Sequence, residues 1–365
     1  MLEDKTFLEE QIITYLGNKR ALLPYIEKYV LKVIEELNVD KIVTCDIFSG
    51  SGIVSRLLKK YSEKLYSNDL ENYSYTINDC YLSNKSEIDF HLLTEQSLWL
   101  RSKIESCKKT GFITEMYAPK DDNDVKSGER VFYTRENAVI IDTARQYIDE
   151  IERKYRKYFL APLLVESSIH ANTSGVFKGF YKNSKTNVGQ FGGNGRNALS
   201  RIMGKIELKL PVLSNFECDT VVLQQDANAL AKEDNDYDLV YIDPPYNQHP
   251  YGSNYFMLNL INDYIKPSEY SNVSGIPKQW NRSGYNVKQK SLSLFTSLCN
   301  NLKSKYLLVS FNSEGFIDYD EMLFMLEKIG KVQVEKIVYN TFRGSRNLAN
   351  RNKYVNEYLF FVKKY

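Results

Sequence analysis

The sequence predicts an α/β fold built on a doubly wound, largely parallel sheet, and three observations predict it. Short apolar strands alternate with amphipathic helices toward both ends of the chain. The residues with chemistry to offer fall at the ends of the predicted strands, where ligands sit in sheets of this kind. At 365 residues, 43% of them apolar, the chain can also bury a full core and carry an inserted module.

Taken in order, the stretch Leu22 to Asn38 repeats apolar residues every three or four positions, with Pro24 in the first turn, and predicts a helix. A strand at Lys41 to Ile47 runs into the turn FSGSG and a helix over Ile53 to Lys60, and the next strand, KLYSND, ends in Asp69. From about Tyr73 to Glu217 the rhythm changes. Polar helical pieces such as RENAVIIDTARQYIDEIERKY alternate with the run GQFGGNGRN, which reads as an inserted, mainly helical module. Strand and helix alternation then resumes with DTVVLQQDA, YDLVYID, KYLLVSF and KVQVEKIVY, and the chain closes on the alternating strand VNEYLFFVKK.

No apolar run approaches the roughly 20 residues that span a bilayer, and MLEDKTFLEEQ has no apolar signal region, so a soluble, cytoplasmic protein without membrane contact is expected. Cys45, Cys80, Cys107, Cys218 and Cys299 are scattered and odd in number, and His91, His170 and His249 are isolated. No disulfide framework and no metal site is expected; the thiols read as reduced and mostly in the core.

The net charge of +2 conceals a segregation along the chain. From Ser167 to Ile206 there are no acids but six cations, Lys178, Lys182, Lys185, Arg196, Arg201 and Lys205, interleaved with Phe177, Phe180, Tyr181 and Phe191. Acid-free windows also cover Tyr270 to Ser313, with Arg282, and Lys336 to Asn356, with Arg343 and Arg346. Such windows read either as solvated loops or as a face for a polyanion, since affinity follows local phosphate neutralisation rather than total charge.

The strongest motif is YIDPPYN, Tyr241 to Asn247. Two prolines cannot donate main-chain hydrogen bonds, so the strand stops there and Asp243 and Tyr246 project from a stiff turn. The Asp243 carboxylate and Pro244 carbonyl are two acceptors suited to an exocyclic amino group such as adenine N6, whose delocalised lone pair must be turned toward an electrophile. Tyr246 offers a ring for a base drawn out of a duplex. The bland alternative is a proline turn after a buried strand.

DIFSGSG, Asp46 to Gly52, is weaker alone, because glycine turns serve many nucleotides. Two further strand-end acids sharpen it: Asp69, placed to accept from a ribose hydroxyl pair, and Asp226, placed to accept from an adenine amino group. The missing third glycine of G-x-G-x-x-G argues for a cofactor without pyrophosphate.

Together these motifs resemble the bacterial DNA adenine-N6 methyltransferases in which the cofactor motifs precede the catalytic one and target recognition lies between them. YLGNKRALLPYI is similar to that family's N-terminal motif beside the methionine part of S-adenosylmethionine and implicates Tyr15, Gly17, Asn18 and Lys19. DIFSGSG is similar to its main cofactor loop, implicating Asp46, Phe48, Ser49, Gly50 and Gly52. Asp69 matches the ribose-binding acid, Asp226 and Ala227 the adenine-binding pair, and Asp243, Pro244, Pro245 and Tyr246 the catalytic motif. FYTRENAVIIDTARQYIDE, ESSIHANTSGVFKGFYK, NQHPYGSNYFMLN and TFRGSRN are similar to members tied to restriction-modification systems.

The resemblance implies a Rossmann-like seven-stranded methyltransferase sheet with its last strand antiparallel. It divides the chain into a catalytic domain, 1–87 and 217–365, and an inserted target-recognition region, 88–216. It further implies double-stranded DNA as substrate, with Lys178, Lys182, Lys185, Arg196, Arg201, Arg282, Arg343 and Arg346 as candidate DNA contacts, and a restriction endonuclease, if one exists, as a separate protein. The readings left open are N4-cytosine methylation, whose motif more often begins with serine, RNA adenine methylation, protein-glutamine methylation, which would place asparagine at Asp243, and a non-catalytic DNA-binding subunit.

Overall fold

The computed structural model describes every residue except 1, 11, 16 and 341–353. Its strands are β1 (Ile42–Asp46), β2 (Ser62–Asp69), β3 (Asp219–Gln224), β4 (Tyr237–Ile242), β5 (Ser304–Asn312), β6 (Gly330–Asn340) and β7 (Tyr354–Lys364). They form one sheet of seven in the order β3-β2-β1-β4-β5-β7-β6. The first five run parallel, and β7 is antiparallel to both β5 and β6. The expected parallel sheet with an antiparallel last strand is what the chain forms. Because β7 is reversed, its beginning lies beside the carboxyl end of β5, where Asn312 pairs with Glu357.

The helices before β4 are α1 (Lys5–Glu9), α2 (Leu23–Leu37), α3 (Ile53–Lys59), α4 (Asn72–Tyr81), α5 (Phe90–Ser106), α6 (Phe112–Tyr117), α7 (Arg135–Ile148), α8 (Lys157–Ile169), α9 (Leu199–Met203) and α10 (Ala227–Leu230). After it come α11 (Tyr251–Asn254), α12 (Phe256–Asp263), α13 (Lys288–Asn301) and α14 (Tyr319–Glu327). In α2, Pro24 occupies the first turn and Asn38 closes the helix in the left-handed region at φ 52°. Its apolar spacing delivers Ile26, Tyr29, Val30 and Val33 to the sheet.

Two apolar layers flank the sheet. One joins α2 and α3 to Leu239, Tyr241, Leu359 and Phe361, and the other joins α10, α13 and α14 to Val240, Ile242, Phe360 and Val362. Alternate residues of each strand feed opposite layers, as the pleat requires. Between β2 and β3 the described elements are helices, separated by long loops over 118–134 and 170–198, and α6, α7 and α8 share a third apolar cluster with α4 and α12. The long helical reading from Arg135 to Tyr155 is shortened: α7 ends at Ile148 and a 3-10 turn follows at Arg153–Tyr155. Four of the cysteines are buried and Cys107 is exposed. Among the described residues no helix is long and apolar enough to cross a membrane.

Candidate active site

The sheet order reverses direction between β1 and β4, and a crevice opens there outside the strands' carboxyl ends. It is a partly open cavity walled by the turn after β1, the ends of β2 and β3, and the turn after β4. Tyr15, Gly17, Phe48, Gly50, Asp69, Asp226, Ala227, Asp243 and Pro245, all expected from the sequence, line it together.

The turn after β1 is shaped for close approach. Gly50 sits at φ +50°, and a Cβ there would lie 3.0–3.3 Å from the Tyr15 ring. Its amide donates to Asp69 at 2.7 Å, and the other Asp69 oxygen accepts from the Glu71 amide at 2.9 Å. Burial holds the Asp69 carboxyl above its ordinary range, against these donors. Gly52, at φ +77°, starts α3, and a Cβ there would meet the Asn78 side chain at 2.4 Å. Gly52 therefore serves helix packing behind the turn. Asp46 and Ser49 also stand behind it: Asp46 accepts from the Ser55 hydroxyl at 2.7 Å, and burial pushes its carboxyl up to about 7, while Ser49 accepts from Asn78.

Asp226 uses one oxygen to cap α10 through the amides of Asn228 and Ala229, and its residue is exposed at the cavity rim. Beside it Phe48 meets Tyr285 edge to face at 5.3 Å, and the Tyr285 hydroxyl donates to Asn228. Tyr285, Asn281 and Asn286 complete the wall from a loop before α13, and sequence reading missed them. Nothing local marks them, because a distant chain segment brings them in. Glu71 was missed too. It is buried, accepts from Asn259 and Asn281, and is pushed up to about 7 by burial.

The wall carries four carboxyl groups, Asp69, Glu71, Asp226 and Asp243, and no lysine or arginine. Such a lining rejects phosphates and suits a ligand that presents hydroxyls, an amine and a sulfonium cation. Among the described residues no group of three or more His, Cys, Asp or Glu side chains is placed to hold a metal ion.

In the turn after β4, Pro244 and Pro245 end the strand, and the Tyr246 carbonyl accepts from the Phe316 amide at 2.9 Å. The Tyr246 ring lies 6.1 Å from that of Phe311. Gly17 adopts φ +73°, and a Cβ there would stand 3.5 Å from the Tyr246 hydroxyl, so the N-terminal motif packs directly on the turn after β4. Asn18 is a local cap, accepting from the Arg20 amide at 2.7 Å. Lys19 does not face the cavity as a ligand contact. Its ammonium lies 3.1 Å from Asp243 Oδ1 and 2.8 Å from Glu357 Oε1.

Of the candidate DNA contacts, Lys178, Lys185, Arg196 and Arg282 are exposed and Lys182 is half-buried. Lys178 shares a shallow concavity with Pro250, Lys278 and Trp280, and the adjoining Phe177 amide donates to Asn254 at 2.7 Å. Arg282 stacks on Trp280 at 4.2 Å and stands between the cavity-lining Asn281 and Ser283. Lys182 and Lys185 sit on a tight turn bridged from Lys182 to Gly189 and tied to Asn194 through Ser184. Arg201 is a correction: its guanidinium turns inward to the carbonyls of Ile169, Ala171 and Thr173 and holds the chain together instead of facing solvent. Arg343 and Arg346 lie outside the described residues.

The model of the D12 class N6 adenine-specific DNA methyltransferases matches residues 15–322. The chain is 30% identical to type II methyltransferase M.NlaIII of Neisseria lactamica, over 96% of this chain and 99% of that one. It is also 30% identical to type II methyltransferase M.CviAII of Paramecium bursaria Chlorella virus 1, over 96% and 98%. Modification methylase StsI of Streptococcus sanguinis is 26% identical over 96% of this chain but only 52% of its own length.

Proposed function

Because the chain belongs to the D12 class of N6 adenine-specific DNA methyltransferases, we propose that Asp243 and Pro244 hold the amino group of a flipped-out adenine against a methyl donor seated over Gly50. The enzyme methylates adenine N6 in DNA, with S-adenosylmethionine as cofactor. The observation that carries the site assignment is the shared cavity: the catalytic carboxylate and the Gly50–Asp69 turn open onto one space.

S-adenosylmethionine, when bound, supplies an electrophilic methyl group. Asp69 and the Gly50 turn would hold its ribose, and Asp226, Ala227, Phe48 and Tyr285 its adenine. The acidic wall favours its cationic end. Lys19 occupies one oxygen of Asp243, and the other has no partner among the described residues, so it is placed to accept one N6 hydrogen while the Pro244 carbonyl accepts the second. Bonding both hydrogens turns the nitrogen lone pair toward the methyl carbon, a positioning effect worth several kcal/mol. Tyr246 stacks on the extruded base.

Residues 88–216 are read as the target-recognition region and 1–87 with 217–365 as the catalytic domain. The concavity of Lys178, Lys278 and Trp280, with Arg282 beside it, is the DNA face nearest the catalytic turn, and Lys182, Lys185 and Arg196 extend it. By likeness to relatives named as type II methyltransferases, the modification is read as protection against a separate restriction endonuclease. Sequencing DNA from cells that express the protein, by a method that reports modified bases, tests the whole reading. N6-methyladenine confined to one short sequence is expected, and methylation on cytosine or none at all contradicts it.

A further inference from the structure

Lys19, Asp243 and Glu357 form a buried cluster that joins three distant parts of the chain. The Lys19 ammonium lies between the two carboxylates, and the side chains of Lys19 and Glu357 are 4% and 0% exposed. Glu357 is itself held from β5: Ser310 Oγ donates to Oε1 at 2.6 Å and Asn312 Nδ2 to Oε2 at 3.2 Å. The reversal of β7 is what brings Glu357 to this edge of the sheet. It lies beyond residue 322, where the match to the family model ends.

We propose that Glu357 is a positioning residue for methyl transfer, anchoring Lys19 on one oxygen of Asp243 so that the acceptor carboxylate keeps its orientation toward the adenine amino group. The inference rests on the reading of Asp243 as that acceptor. The Lys19 ammonium lies 2.8 Å from Glu357 Oε1 and 3.1 Å from Asp243 Oδ1, so Glu357 fixes the ammonium and the ammonium fixes one oxygen of Asp243. Burying a second carboxylate is costly unless it is paired and hydrogen-bonded, and Ser310 and Asn312 meet that condition.

The groups facing Asp243 are Lys19, Glu357, Tyr241 on its own strand, Tyr246 and Tyr251 from the segment that follows, and Asp46 from β1. Burial pushes Asp243 up to about 7, Lys19 opposes the rise and Glu357 adds to it. Against its own burial, Lys19, Ser310 and Asn312 hold Glu357 below the ordinary range. The Asp243 carboxylate is therefore the one that takes a proton first.

The test compares Glu357→Gln and Asp243→Asn with wild type for cofactor affinity by calorimetry and for the pH dependence of methyl transfer to DNA. For Glu357→Gln the expected results are cofactor affinity within about twofold, kcat lower by about tenfold or more, and an acid limb moved to lower pH by about half a unit or more, because Asp243 then has Lys19 to itself. A purely structural role would lower the rate without moving that midpoint. If Asp243→Asn is inactive while Glu357→Gln keeps the wild-type rate and midpoint, the inference falls and the reading of Asp243 stands. If Asp243→Asn turns over normally, the reading itself fails. Should Glu357→Gln not fold, Ser310→Ala serves instead: it weakens the hold on the Glu357 charge and is expected to move the midpoint the same way, and an unmoved midpoint overturns the proposal.

Discussion

The Gly50 amide donates to an Asp69 carboxylate oxygen at 2.7 Å, which makes the turn after β1 and the end of β2 a single cradle. Gly50→Val should damage this cradle twice. The residue sits at φ +50°, where an L side chain costs about 1–2 kcal/mol, and its Cβ would press on the Tyr15 ring at 3.0 Å. Cofactor affinity measured by isothermal titration should fall about tenfold or more, equivalent to about 1.4 kcal/mol. Unchanged affinity in a folded variant would reduce the motif to an ordinary turn.

Methyl transfer should require the ionised form of Asp243, whose carboxyl burial pushes up to about 7. The raised value places proton uptake in the neutral range, so activity is present above it and lost as pH falls through it. A plot of log kcat/KM against pH should bend downward near 7, well above the range of an ordinary aspartate. A profile flat down to pH 5 would rule out a carboxylate in this environment as the acceptor.

Lys19→Met should leave two buried carboxylates without their shared cation. Breaking such a cluster costs about 3–5 kcal/mol, unless the freed carboxyls take up protons instead. Urea denaturation at pH 8 should show a large loss of stability that is relieved at lower pH, where those carboxyls are neutral. Loss of cofactor binding with stability intact would return Lys19 to the role the resemblance implied.

The cations of the proposed recognition region should divide by their surroundings. Lys182→Ala and Lys185→Ala should weaken binding to every duplex and lower the slope of log affinity against log salt by about one unit for each phosphate no longer neutralised. Arg196→Ala should cost about 1–3 kcal/mol on the cognate site alone if Arg196 reads a guanine edge. Arg201→Ala should leave the salt slope unchanged and lower stability by about 1–3 kcal/mol, because the carbonyls of Ile169, Ala171 and Thr173 lose their donor. Gel-shift titrations at several salt concentrations, with a melting curve for Arg201→Ala, separate these outcomes.

Much of the fold was legible because its signals are local. The two prolines that stop β4 and the alternation of VNEYLFFVKK each declare an element without help from the rest of the chain. The cavity's first walls were legible for the same reason, since Gly50, Asp69, Asp226 and Asp243 all follow strands. Tyr285 and Asn281 were not, because a loop far along the chain delivers them and no local pattern marks it. Arg201 misled because acid-free composition does not say which way a side chain turns. Glu357 left a trace that went unread: it keeps phase with Leu359 and Phe361, so a charge stands on an apolar face of β7. A charge in that phase needs buried partners, and Lys19, Ser310 and Asn312 are among those it has.

The most direct measurement is methyl transfer by Asp243→Ala to DNA free of methylated adenine, with cofactor affinity measured on the same preparation. Loss of a base-orienting acceptor should remove about 3 kcal/mol or more of transition-state stabilisation, a fall of at least about a hundredfold in kcat. The account predicts that loss together with cofactor affinity close to wild type, and near wild-type turnover by the folded variant would contradict it.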